Sequence, residues 1–111
     1  MDVAIEAQPT GVAVARLRGR LDLLSAAEVK QQLTAAVADG HARLVVDIEG
    51  VSFIDSSGLG ALIGGLKAAR LAGGDLRLAR PGEQARVILA LTTLDKVLRM
   101  YGTVEEALAG Y

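Results

Sequence analysis

Two serines follow an acid where an apolar run gives way to a helical repeat. The run ends at Ile54, and Asp55, Ser56 and Ser57 come next. The apolar residues then recur with the spacing of one buried helical face, at Leu59, Leu62, Ile63 and Leu66. This pattern predicts a strand, a short exposed corner and a helix whose positive dipole end lies at the serines. A hydroxyl at such a corner is open to a partner, which indicates a phosphorylatable switch rather than a catalytic centre.

The sequence has few residues that are suited to catalysis or to metal binding. His41 is the one histidine, and its Gly-His-Ala context predicts a solvent-exposed loop. A small hydrolase using Ser56 as nucleophile would need His41 as its base, and Ser56 does not lie in a G-x-S-x-G motif. There is no cysteine, which excludes thiolate ligands, disulfides and cysteine nucleophiles. Gly58, Gly60 and Gly64 miss the dinucleotide fingerprint by one position. We therefore predict no catalytic residue, no metal site and no cofactor.

The length and charge of the chain limit the classes of partner that it can bind. The 111 residues suffice for one domain, 1–111, and the net charge of -1 comes from interspersed acids and bases. No basic face or aromatic platform is present for nucleic acid. The longest uncharged apolar run, Gly58 to Leu66, is far shorter than the ~20 residues that cross a bilayer. No secretory signal opens the chain. These features predict a soluble cytoplasmic protein that binds neither nucleic acid nor membrane.

Strand and helix patterns alternate along the chain. Two strands around a turn at Pro9–Gly11 suggest a hairpin, and strands and helices then alternate. We expect Gly50 to turn the chain between two apolar strands, and capping boxes at Ser25 with Glu28 and at Thr103 with Glu106. Alternation implies crossover connections. The predicted fold class is α/β, with a mixed, mostly parallel sheet of four to five strands and about four α-helices.

The corner also carries a family resemblance. The run Asp55-Ser56-Ser57-Gly58-Leu59-Gly60, preceded by Phe53-Ile54, resembles the anti-sigma factor antagonists of the STAS family. Gly19-Arg20-Leu21-Asp22 matches the family's G-x-L-D ahead of its first helix, and the likeness covers nearly the whole chain. Arg20 is a small departure, because relatives often have an acid there, and it could alter partner choice.

The resemblance implies a partner-switching role. It implies that an anti-sigma factor serine kinase phosphorylates Ser56, that the unphosphorylated form binds this kinase and frees its sigma factor, and that a serine phosphatase removes the mark. It also implies that Asp22 lies near the corner. The expected partner-binding residues are Asp22, Asp55, Ser56, Ser57, Gly58, Leu59 and Gly60. The alternative is a STAS subunit of a membrane transporter or of a larger signalling assembly. The controlled sigma factor, the oligomeric state and nucleotide binding stay open.

Simpler explanations exist for the same residues. Asp55, Ser56 and Ser57 are residue types that cap helices, and residue types alone favour capping. The glycines either flatten a surface for a partner or allow close packing; packing is favoured for Gly64 and Gly65, while Gly58 and Gly60 stay open. A further set, Arg16, Arg18 and Arg20, is either a solvated strand face or a contact for an acidic partner.

Overall fold

The N-terminal hairpin is the starting edge of the sheet in the computed structural model, which describes all 111 residues. Its strands are antiparallel, with Asp2 opposite Arg18 and Ala7 opposite Ala13. Gly11 has a φ of 91° in the turn, a conformation that favours glycine. The strands are β1 (Asp2–Ala7), β2 (Ala13–Leu21), β3 (Arg43–Ile54), β4 (Asp75–Ala79) and β5 (Arg99–Tyr101). The α-helices are α1 (Ala26–Ala38), α2 (Ser56–Leu71), α3 (Glu83–Leu91) and α4 (Val104–Leu108), and a 3₁₀ turn covers Leu94–Lys96.

The five strands lie in the order β1-β2-β3-β4-β5. All pairs after the hairpin are parallel, as the helical crossovers require. Five strands, a mostly parallel mixed sheet and four α-helices confirm the predicted fold class.

The two faces of the sheet are covered unequally. One face packs against α1, α2 and α3 through a large aliphatic core that includes Leu33, Leu62 and Leu89. The other face carries a small cluster of Val12, Val14, Val45, Ala79 and Ala107, bordered by Tyr101 and Tyr111. The phosphoacceptor candidate therefore belongs to the helix-covered side, at the end of β3. None of the helices combines the length and apolar character needed to cross a bilayer.

The C-terminal residue closes the second face. The Tyr111 hydroxyl accepts from the backbone N–H of Leu44 (2.9 Å) and lies within hydrogen-bond distance of the Leu44 and Asp75 carbonyls. The Arg77 guanidinium lies 4.0 Å from the centre of the Tyr111 ring. Burial raises the pKa of Tyr111 to about 12. The tyrosine thus joins the beginnings of β3 and β4.

Two local predictions are wrong. Gly50 does not turn the chain, because β3 runs through it without interruption. A Cβ there would lie 2.9 Å from the Leu17 carbonyl oxygen, where the register of β2 against β3 shifts. The glycine allows the close approach of a neighbouring strand, as at many strand irregularities.

The first capping box is also absent. Ser25 precedes α1 but makes no side-chain cap. Its hydroxyl donates to the Arg20 carbonyl (2.7 Å) and accepts from the Asp22 amide (3.1 Å), so it closes the preceding loop instead. At α4 the hydroxyl of Thr103 does accept from the Glu106 amide (3.0 Å), as the second box predicts for its threonine.

Candidate functional site

Ser56 is the first residue of α2, and it is exposed. Asp55 precedes it in an extended conformation as the N-cap, and its carboxylate accepts from the Gly58 amide (2.9 Å). Capping therefore explains Asp55, as its residue type suggests. Ser57 is half-buried, so the more accessible of the two hydroxyl-bearing residues is Ser56.

Asp55 also holds a second segment. Its other carboxylate oxygen accepts from the Leu23 amide (3.2 Å), and its own amide donates to the Leu21 carbonyl (3.3 Å). Leu21 is the last residue of β2, and Leu23 belongs to the connection between β2 and α1. One carboxylate thus fixes the start of α2 and the neighbouring loop in relation to each other, over 32 residues of sequence separation.

The loop carries the acid that the resemblance places near the corner. Asp22 accepts from the Leu24 amide (3.1 Å) and pairs with Arg20 through its other oxygen (3.3 Å). Because the next residue, Leu23, is bonded to Asp55, the structure brings the Asp22 and Asp55 segments together. Leu23 is 74% exposed and Leu24 is 94% exposed. These two exposed leucine side chains form an apolar surface on the loop that is bonded to Asp55.

The three arginines of β2 do not act as one row. Arg16 pairs with Glu6 (3.3 Å) and with the buried Asp47 (3.7 Å), whereas Arg18 is exposed. Arg20 lies over the ring of Phe53, 4.5 Å from its centre. Arg20 is thus held between an aromatic ring and Asp22, at the edge of the corner.

The glycines of α2 divide by environment. Gly58 is buried, and a Cβ there would lie 2.1 Å from the Leu21 carbonyl oxygen. Leu59 is 3% exposed and belongs to the core. Gly60 is exposed, with nothing within 4 Å of an added Cβ. Packing accounts for Gly58, whereas Gly60 contributes open surface next to Ser56.

Close packing is confirmed further along the helix. A Cβ on Gly64 would meet the aliphatic part of Lys30 (2.7 Å), and one on Gly65 would meet Leu33 (2.9 Å). Both contacts come from α1. The glycines let α1 and α2 approach each other, as predicted.

Sequence reasoning missed Gln84. Its side-chain amide donates to the Ile54 carbonyl (2.8 Å) and accepts from the Ile54 amide (2.9 Å). The glutamine belongs to the first turn of α3, 30 residues away along the chain. No local pattern distinguishes it from any other polar residue on a helix.

A buried ion pair lies elsewhere in β3 and was also missed. Asp47 is 3% exposed, and its carboxylate accepts from Nε of Arg80 (3.1 Å). Burial raises the pKa of Asp47, but hydrogen bonds from Arg80 and from the Glu49 amide outweigh it and leave the pKa below its ordinary value. Arg80 has a φ of 55°, unusual for a residue with a Cβ, and this conformation accompanies its contacts with Asp47 and Glu49.

The reactive group that the corner offers is the exposed hydroxyl of Ser56. His41 and Ser56 flank opposite ends of β3, so the histidine does not serve the serine. Three or more His, Asp or Glu side chains do not gather anywhere in the chain in a metal-holding group. What remains is an exposed hydroxyl, two nearby carboxylates and an apolar loop surface.

Comparison with known proteins agrees with this geometry. The family model described as "STAS domain" matches residues 4–107. The anti-sigma-F factor antagonist RsfB of Mycobacterium tuberculosis is 32% identical over 106 residues, which cover 94% of this chain and 84% of that protein. A TM1081 homologue of Thermotoga neapolitana is 33% identical over 69 residues, which cover 62% of this chain and 61% of that protein.

A solved structure extends the likeness to the fold. The Bacillus cell fate determinant SpoIIAA in its phosphorylated form is 25% identical, with a TM-score of 0.74 over 96% of each chain. The match of the family model over nearly all of the sequence, and the identity to RsfB over the same length, agree with the resemblance carried by the corner. The chain belongs to the STAS domain family.

Proposed function

We propose that this protein is an anti-sigma factor antagonist, switched by phosphorylation of Ser56. In its unphosphorylated form it binds an anti-sigma factor serine kinase, which then releases its sigma factor. Phosphorylation ends the binding, and a serine phosphatase restores it. The observation that carries the proposal is the exposed hydroxyl of Ser56 at the start of α2, beside Asp55. The names of relatives such as RsfB support the class of partner.

The accessible corner supports a kinase substrate. Ser56 is the first residue of α2 and is exposed, so a partner can reach its hydroxyl. A protein kinase needs the hydroxyl in line with the γ-phosphate, and a preordered acceptor satisfies that need. Because the phosphoryl donor is ATP, the proposal places the protein in the cytoplasm.

The surface around the serine supports protein docking. Leu23 and Leu24 offer exposed apolar area, and Gly60 adds a flat patch one helical turn from Ser56. Removing exposed apolar area from water favours association, roughly in proportion to the area that is buried. We infer that the kinase covers this loop and the first turn of α2 together.

The charge of a phosphate explains the switch. Phosphorylation adds roughly -1.5 to -2 charges next to Asp55 and near Asp22. Within the free domain the helix N-terminus offsets this by ~0.3–1 kcal/mol, and the phosphate stays hydrated. Within a docked interface the dianion loses water beside two carboxylates. Unpaired interfacial charge costs ~2–5 kcal/mol, and about 2.7 kcal/mol lowers affinity a hundredfold. The complex therefore dissociates while the fold persists.

Phosphorylation with a matched serine pair tests the proposal. The protein and its Ser56→Ala and Ser57→Ala variants are incubated with ATP and each anti-sigma factor kinase of the source genome, and phosphosites are mapped by mass spectrometry. We expect phosphate on Ser56 in the wild type and in Ser57→Ala, and none in Ser56→Ala. Calorimetry with the same kinase should show binding at least about a hundredfold weaker for Ser56→Asp.

Two results would contradict the proposal. One is phosphate on Ser57 in place of Ser56. The other is equal kinase affinity of the wild type and Ser56→Asp. Binding to a transporter or sensor assembly without phosphorylation would favour the alternative STAS role instead.

A further inference from the structure

We propose that Gln84 is a positioning residue for the Ser56 corner: its side-chain amide holds the last residue of β3 and so sets the orientation of Asp55 and the start of α2. The functional part of this inference rests on the proposed phosphorylation of Ser56. Its geometric part concerns the corner alone and is testable without a partner.

The end of β3 extends beyond its neighbour on one side. The pairing of β3 with β4 runs from Arg43 opposite Asp75 to Asp47 opposite Ala79. β3 continues to Ile54, seven residues further on, where its pairing partner is Leu21 of β2. The side of the strand that β4 does not reach thus needs other hydrogen-bond partners.

Gln84 supplies both of those partners to Ile54. One planar amide donates to the Ile54 carbonyl (2.8 Å) and accepts from the Ile54 amide (2.9 Å), in a part-buried setting. This is the pattern that the backbone of an adjacent strand would provide. A carboxylate can accept but not donate, and an alkyl side chain does neither, so the site calls for a carboxamide.

The hold on Ile54 passes directly to Asp55. The Asp55 amide is fixed by the Leu21 carbonyl, and its carboxylate binds the amides of Gly58 and Leu23. The end of β3 is thus held on one side by α3, through Ile54, and on the other by β2, through the Asp55 amide. Loosening one side lets the Asp55 backbone rotate, which weakens both carboxylate bonds and moves Ser56.

Amide hydrogen exchange separates positioning from general stabilisation. In Gln84→Ala we expect exchange at Ile54, Gly58 and Leu23 to become about tenfold faster, the loss expected when a hydrogen bond of ordinary strength is removed. Exchange in α1, for example at Leu33, should stay within twofold of the wild type. Arg86→Ala, an exposed change on the same helix, is the matched control and should leave all these amides unchanged.

A second variant isolates the lost donor. Gln84→Glu keeps an acceptor for the Ile54 amide but places a carboxylate against the Ile54 carbonyl. It should also accelerate exchange at Gly58 and Leu23, because one of the two bonds is replaced by repulsion. This variant gives the answer if Gln84→Ala does not fold.

Phosphorylation kinetics supply the functional readout. With a kinase that phosphorylates the wild type, Gln84→Ala should lower kcat about tenfold with KM within threefold, since the side chains that dock the kinase are unchanged but the hydroxyl is misplaced. Local exchange equal to the wild type, uniform acceleration across the chain, or an unchanged kcat would each overturn the positioning role. If no kinase phosphorylates the wild type, the proposed switch fails, and the exchange data still decide the role of Gln84 at the corner.

Discussion

Two glycines in one helix should respond to the same substitution with opposite signs. Gly58 and Gly60 lie in the first turns of α2, two residues apart. An added Cβ at position 58 would lie 2.1 Å from the Leu21 carbonyl oxygen and 2.8 Å from Leu21 Cγ. At position 60 it would meet nothing within 4 Å. Gly58→Ala and Gly60→Ala therefore differ in contact with β2, while the change in side chain is identical.

The magnitudes follow from propensity and steric overlap. Gly60→Ala gains helix propensity and should stabilise the fold by up to about 1 kcal/mol. Gly58→Ala gains the same propensity, but the Leu21 carbonyl must withdraw from the new methyl group, and overpacking costs about 1–3 kcal/mol. The withdrawal also weakens the bond from the Asp55 amide to Leu21, a further ~1 kcal/mol. We expect a net loss of about 1–3 kcal/mol for Gly58→Ala.

Thermal and urea unfolding of the three proteins measure this difference. At this chain length 1 kcal/mol shifts Tm by about 4 °C. The Tm should rise by up to about 4 °C for Gly60→Ala and fall by about 4–12 °C for Gly58→Ala. A Gly58→Ala protein as stable as the wild type would refute the argument from close approach. If the kinase docks over this surface, Gly60→Ala should also weaken its binding despite the higher Tm.

Three further predictions concern single side chains. Asp55→Ala removes the cap and the bond to the neighbouring loop and should cost about 2 kcal/mol in urea unfolding, against about 1 kcal/mol for Asp55→Asn, which keeps one acceptor; equal stability of Asp55→Ala and wild type would contradict the bridging role. The lowered pKa of Asp47 means that its ionised form stabilises the fold above pH ~4 and that this contribution disappears as the pH falls, so Asp47→Asn should flatten the acid limb of stability measured from pH 6 down to pH 2. The raised pKa of Tyr111, about 12, means the reverse at alkaline pH: its contribution is complete below pH ~10 and is lost as the pH rises towards 12. Tyr111→Phe should lower the free energy of unfolding by about 1–3 kcal/mol at neutral pH. It should also remove the part of the wild type's stability loss at alkaline pH that comes from ionisation of Tyr111.

Local patterns were sufficient for the elements around the corner. The hairpin, the alternating strands and helices, and a helix that begins at the serines follow from periodicity and from the acid that caps the helix. Exposure of Ser56 follows too, because the first turn of a helix that leaves a sheet edge has few neighbours. These features depend on residues close together in sequence, which is why they can be predicted from one chain.

Contacts between distant segments could not be predicted in this way. Glycine is a residue type typical of turns, but the approach of Leu17 from another strand determines the role of Gly50. Ser25 fits a capping box, yet the carbonyl of Arg20 offers its hydroxyl a better partner. Gln84 has no local signal, since its two bonds depend on how far β3 extends past β4. Each case is decided by tertiary packing rather than by the neighbouring residues.

Asp55 stabilises the fold, whereas the exposed leucines are free to contact a partner, and this difference affects how partner recognition can diverge among proteins of this kind. Asp55 is tied to both the loop and the helix, so altering it damages the fold before it changes recognition. Leu23 and Leu24 present side chains that the fold does not need, and they can be exchanged freely. If the proposed kinase docks on this loop, selection acting on a duplicated gene can redirect one copy to a new partner by changing these two loop positions, while both copies retain the Ser56 corner and the same stability.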